Sequence, residues 1–181
     1  MNKAMPIGVD DFKKVREDYY FVDKTDFIRQ LIDTHSAVTL ITRPRRFGKT
    51  LTLSMLEYFF SIDRKKESQG LFSGLSVEKS GTAYMNHLGA HPVIFISLKN
   101  VSGDTWESTV KSLGFALADV YRNFNYLAQS ADVDDSLKIY FQKVLYEKAT
   151  QDELAVSLLR LTTMLHQHYG KPVILLIDEY D

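Results

Sequence analysis

Residues 41–50 read ITRPRRFGKT, and the fold expected of the chain turns on them. The last three, Gly48, Lys49 and Thr50, complete a phosphate-binding loop of the form G-x-x-x-x-G-K-[ST]. In such a loop, backbone N–H groups and the positive end of the next helix face a phosphate. Arg43 stands where the first glycine of the pattern belongs. A glycine there permits a tight turn out of the preceding strand. Pro44 restrains the loop differently, by fixing its own φ and biasing Arg43 towards extended backbone.

On the phosphate reading, Arg43, Pro44, Arg45, Arg46, Phe47, Gly48, Lys49, Thr50 and Leu51 form a nucleotide-binding segment. Lys49 reaches the β- and γ-phosphates, which makes it catalytic as well as binding, and the Thr50 hydroxyl takes Mg²⁺. The plainer reading is a basic, solvent-exposed turn. The flanks favour the first. AVTLIT, residues 37–42, is rich in β-branched residues and predicts a buried strand. KTLTLSMLEYFFS follows with Leu53, Leu56 and Phe60 at helical spacing.

A second motif lies at PVILLIDEYD. VILLI, residues 173–177, predicts a core strand that ends on Asp178 and Glu179. Asp178 is expected to hold Mg²⁺ through its water shell, and Glu179 to orient and partly deprotonate the attacking water. A charged strand end alone is common. Paired with a Gly-Lys-Thr loop, it points to ATP or ADP with Mg²⁺ as the ligands.

The rest supplies a scaffold. VDKTDFIRQLID predicts a helix capped by Asp23 or Thr25, with Phe27, Ile28, Leu31 and Ile32 on one face. Residues 61–91 read as loops with short helical pieces, and PVIFISL, residues 92–98, as a second strand. DTWE offers a capping box from Asp104 to Glu107 for a helix through about Phe124. Helices are expected over residues 134–148 and 151–169, the latter stopping at Gly170. Three short strands between helices imply an α/β fold, a P-loop NTPase core whose mainly parallel sheet is flanked by helices. The strands are few for so many helices, and the chain stops at LLIDEYD. Residues 1–181 are therefore expected to be the N-terminal part of a domain cut after its acidic strand, with an open sheet edge prone to self-association.

Composition excludes several classes. Hydrophobic residues at 45% and charged residues at 25% argue for a globular chain. A net charge of −1 gives no general attraction for nucleic acid. With no cysteine, disulfides and thiolate chemistry are out. Without a signal-like N-terminus or a run of roughly 18 apolar residues, a cytoplasmic protein with no membrane partner is expected. His35, His87, His91, His166 and His168 show no metal spacing. Tyr20, Lys24 or Thr25 are candidates to touch nucleotide, against a plain role as helix cap and core, and Tyr58, Phe59 and Phe60 read as packing.

ITRPRRFGKTLTLSML, PVILLIDEYD and PIGVDDFKKVREDYYFVDKTDFI together resemble the predicted AAA-ATPase-like proteins of bacteria. In that family an arginine typically occupies the first P-loop glycine position. The resemblance implies that Lys49 and Thr50 serve nucleotide and Mg²⁺, that Asp178 is the acidic metal partner and that Glu179 is the catalytic base. It also implies a longer parent with further strands, a winged-helix-like region and often a PD-(D/E)XK nuclease-like domain. Two other classes compete: a nucleic-acid-binding module built on Arg43, Arg45, Arg46 and Lys49, and a nucleotide-dependent interaction switch, with a protein partner, that does not hydrolyse.

Overall fold

The computed structural model describes residues 3–42, 44 and 47–179. The chain divides into two compact units, residues 1–91 and 92–181.

The first unit is helical: α1 (Phe12–Asp18), α2 (Asp26–Thr34), α3 (Lys49–Phe60), α4 (Ser76–Lys79) and α5 (Thr82–Met85). Its centre is α3, whose Leu53, Met55, Leu56, Tyr58, Phe59 and Phe60 are all buried, so the helix is covered on nearly every side. Phe12 of α1 stacks on Phe72 at 5.1 Å, and Phe59 meets the same ring edge-on at 5.0 Å. The α1 start is pinned to α3 by the Phe12 N–H, which donates to Ser54 Oγ at 3.0 Å. Tyr58, Phe59 and Phe60 are packing residues, as their spacing predicts.

Asp23 ties the entry of α2 to the start of α4. Its Oδ1 accepts from the Thr25 N–H and hydroxyl (2.9 and 2.7 Å), and its Oδ2 from the N–H and hydroxyl of Ser76 (both 2.7 Å). Thr25 is fully buried, and its Oγ1 accepts from the Val77 N–H at 3.1 Å. Thr25 is thus the N-cap residue of α2 and part of a structural clip.

The second unit holds β1 (Val93–Ser97), α6 (Trp106–Arg122), a 3-10 turn (Asn125–Gln129), α7 (Asp135–Leu145), α8 (Gln151–Ala155), α9 (Ser157–Tyr169) and β2 (Ile174–Asp178). The strands pair in parallel, from Val93 opposite Ile174 to Ser97 opposite Asp178. Ile94 and Ile96 join a core with Leu117, Tyr121, Phe124, Phe141, Leu161 and Leu165. The Tyr121 hydroxyl is satisfied inside it, donating to the Ser157 carbonyl at 2.8 Å.

Four expectations are corrected. The α/β core with a mainly parallel sheet flanked by helices is overturned: the described residues are mostly helical and form one two-stranded sheet. Among the described residues, 37–42 form no strand, with Val38 86% and Leu40 62% exposed. Their β-branched composition suits a strand, but among the described residues no ladder pairs with them. The α6 capping box is Thr105 with Ser108, one residue past the expected pair. Residues 151–169 form two helices broken at Val156, where the Ser157 hydroxyl takes the Leu154 carbonyl at 2.7 Å.

Partial burial alone would push the Asp23 carboxyl up, but the Thr25 and Ser76 hydroxyls and amides outweigh it and hold its pKa at about 2, against the ordinary 3.8. A lowered folded-state pKa means that the stabilisation is fully present above the unfolded value and is lost as pH falls through the folded one. Solvent screening at this exposed site limits it to about 1 kcal/mol. Urea unfolding at neutral pH is expected to show Asp23→Ala less stable by about that amount. The gap should close as pH falls from 3.8 towards 2. A gap that persists in acid would mean that the carboxylate charge is not what holds the clip.

Candidate functional site

The sequence-predicted residues fall in two places. Gly48, the N-cap of α3, has φ +75°, in the left-handed region. Among the described residues, nothing lies within 4 Å of where a Cβ would stand, so the conformation itself calls for glycine. Its carbonyl accepts from both the N–H and the hydroxyl of Thr52, at 2.9 and 2.8 Å. Ahead of it, the Phe47 N–H donates to the Pro44 carbonyl at 3.3 Å, and the Phe47 ring is exposed. Lys49, Thr50 and Leu51 form the first turn of α3, each half-buried. No side chain caps this helix of twelve residues, so its positive end is the backbone of that turn. Arg43, Arg45 and Arg46 lie outside the described residues.

In the second unit, Asp178 closes β2. It is 4% exposed, and its carbonyl accepts from the Leu98 N–H at 2.9 Å. Strand alternation puts it on the sheet face of Leu176, the face that its register partner Ser97 shares with Phe95. Glu179 follows at φ +54°, exposed and left-handed without being glycine. Such a conformation costs about 1–2 kcal/mol for an L-residue. Strain of this kind concentrates at functional sites.

Thr50 and Asp178 offer a hydroxyl and a carboxylate, hard oxygens of the type Mg²⁺ takes. Among the described residues, no group of three or more His, Asp or Glu is placed to hold a metal by itself. Mg²⁺ does not need one, because it commonly binds one or two protein oxygens together with phosphates and water. Each of the two residues, by itself, carries an oxygen of the kind that ion takes.

The remaining candidates are structural or lie elsewhere. Tyr20 and Lys24 are exposed beside the Thr25 clip. His87 Nδ1 and His91 Nε2 share a hydrogen bond at 3.0 Å, and Ser130 Oγ meets His168 Nδ1 at 2.8 Å. His166 Nδ1 donates to the Lys171 carbonyl, and His35 ends α2 in the left-handed region. A cavity of about 370 Å³ opens in the second unit, lined by Ser136, Tyr140, Asp152, Glu153, Val156 and Arg160 among others. It contains none of the motif residues, and its open, mixed-charge wall selects no ligand class.

Comparison with known proteins bears on the same motifs. Residues 6–181, which include both of them, match a family described as predicted AAA-ATPase. The chain belongs to the AAA-ATPase-like family. At family level, that description points to nucleotide-binding, ATPase-like proteins. This AAA-ATPase-like chain is also 32% identical, over 183 residues, to an uncharacterized protein in the vnfD 5′ region of Azotobacter chroococcum mcd 1. The alignment takes in 99% of the chain but spans only 29% of that protein's length. No solved structure matches. Among the described residues, no helix is long and apolar enough to cross a membrane.

If Gly48 is needed for its left-handed φ, Gly48→Ala should destabilise the first unit by about 1 kcal/mol, and Gly48→Asn by less, because asparagine tolerates that region. Denaturant titration of the two variants checks this. Equal losses would point to something other than backbone conformation.

Proposed function

We propose that the chain binds ATP or ADP with Mg²⁺ through residues 43–51, as the N-terminal part of a longer ATPase. The observation carrying this reading is the left-handed Gly48 opening a buried helix with Lys49 and Thr50 in its first turn. The amides of that turn and the Lys49 ammonium oppose the phosphate charge, and Arg43, Arg45 and Arg46 add to it. Thr50 and Asp178 hold the metal, which neutralises charge on the β- and γ-phosphate oxygens. Glu179, exposed at the end of β2, orients the attacking water and takes its proton. The longer parent is supported by the Azotobacter protein, of which this chain spans 29%. Nucleotide is favoured over nucleic acid because Arg43, Arg45, Arg46 and Lys49 form one short basic cluster in a chain of net charge −1, which gives no general attraction for a polyanion. The exposed Val38 and Leu40 favour self-association.

Calorimetry tests the binding step. Lys49→Ala should lower ATP and ADP affinity by about tenfold or more, the scale of a lost charge-assisted phosphate contact. Equal affinity in the two proteins removes the proposed site. In the longer parent, Asp178→Asn should weaken Mg²⁺-dependent binding, whereas Glu179→Gln should lower turnover with affinity kept. Unchanged turnover in Glu179→Gln would mean that another group is the base.

A further inference from the structure

Ser97 ends β1 directly opposite Asp178, which ends β2. Residues in register on neighbouring parallel strands project from the same face, with strands about 4.8 Å apart. The Ser97 side chain and the Asp178 carboxylate therefore lie side by side at the same strand ends. The backbone fixes this neighbourhood: the Leu98 N–H donates to the Asp178 carbonyl at 2.9 Å, so the first residue after β1 is bound to the last of β2. Ser97 Oγ accepts the Lys99 N–H at 3.4 Å, using a lone pair and leaving the hydroxyl proton for another acceptor. Asp178 is almost fully buried, where a carboxylate depends on local donors for its orientation and its charge.

We propose that Ser97 is a positioning residue for Asp178: its hydroxyl, turned to a neighbouring staggered rotamer, donates to the carboxylate and holds it in the orientation that takes Mg²⁺. The inference rests on the reading of Asp178 as the metal acid. Ser97 touches neither nucleotide nor metal. It acts through the carboxylate, as outer hydrogen-bond partners commonly orient the oxygens that bind a metal. A serine suits the place, being short enough not to crowd the neighbouring strand end.

The test is calorimetry of ADP binding, with Mg²⁺ and with EDTA, on the whole chain carrying Ser97→Ala, Ser97→Thr, Asp178→Asn, or Ser97→Ala with Asp178→Asn. Ser97→Ala should cut the Mg²⁺-dependent gain in affinity about tenfold, the scale of a hydrogen bond to a charged group, and leave the affinity in EDTA unchanged. Ser97→Thr, which keeps the hydroxyl, should restore the gain. Added to Asp178→Asn, Ser97→Ala should have no further effect, because the two act as one unit. An unchanged Mg²⁺ gain in Ser97→Ala, with the gain lost in Asp178→Asn, overturns the role of Ser97 and leaves the proposed function standing. An equal fall with and without Mg²⁺ also overturns it, since that marks general damage to the strand end. A wild type with no Mg²⁺ gain, or an Asp178→Asn variant that keeps it, overturns both. If thermal unfolding shows Ser97→Ala melted under assay conditions, Ser97→Cys, close in shape with a weak S–H donor, replaces it with the same opposed outcomes.

Discussion

Parallel pairing of β1 with β2 is the constraint on which the second unit depends. Two parallel strands cannot be joined by a tight turn, so the chain must leave the end of one and return to the start of the other. Here the return is the whole helical run from α6 to α9. Because that run must cover the sheet, its apolar residues meet Ile94 and Ile96 in one core. The same pairing brings the two C-terminal strand ends level. An acidic residue at such an end gains a rigid mount from the ladder behind it and a polar neighbour from the strand beside it.

The first unit is organised around a helix instead. With so much of α3 buried, α1 packs directly against it, while α4 lies against α2 and α5. The Asp23 clip and the Phe12, Phe59 and Phe72 rings fix the surrounding segments from different sides. A helix so enclosed keeps its axis, and therefore the direction of its first turn, independent of the loop that precedes it.

Much of this was legible in the sequence. Leu53, Leu56 and Phe60 marked α3, PVIFISL and VILLI marked the two strands, and Gly170 marked the end of α9. The family followed from the motifs and is supported across residues 6–181. What failed was the step from strands to a sheet. AVTLIT has the composition of a strand, yet pairing is a property of two segments, and composition reports only one. The Val156 break was hidden for a related reason: the periodicity of residues 151–169 runs through it, and a serine hydroxyl competing for one carbonyl leaves no mark on the apolar pattern. At the candidate site, the need for glycine at position 48 was readable from residue type. The left-handed Glu179 and the register that sets Ser97 beside Asp178 are three-dimensional facts with no one-dimensional signature.

The unpaired segment at residues 37–42 has a consequence in time as well as in space. Among the described residues its amides and carbonyls form no backbone hydrogen bonds. Val38 and Leu40 in this stretch are exposed, whereas the N–H groups of α3, only a few residues on, are shielded by an enclosed helix, so hydrogen–deuterium exchange should be faster in the former. Such a step in exchange rate marks a place where the chain opens more readily than its core. Proteases read the same signal, so this exposed stretch is the natural site for a first cut that leaves α3 intact.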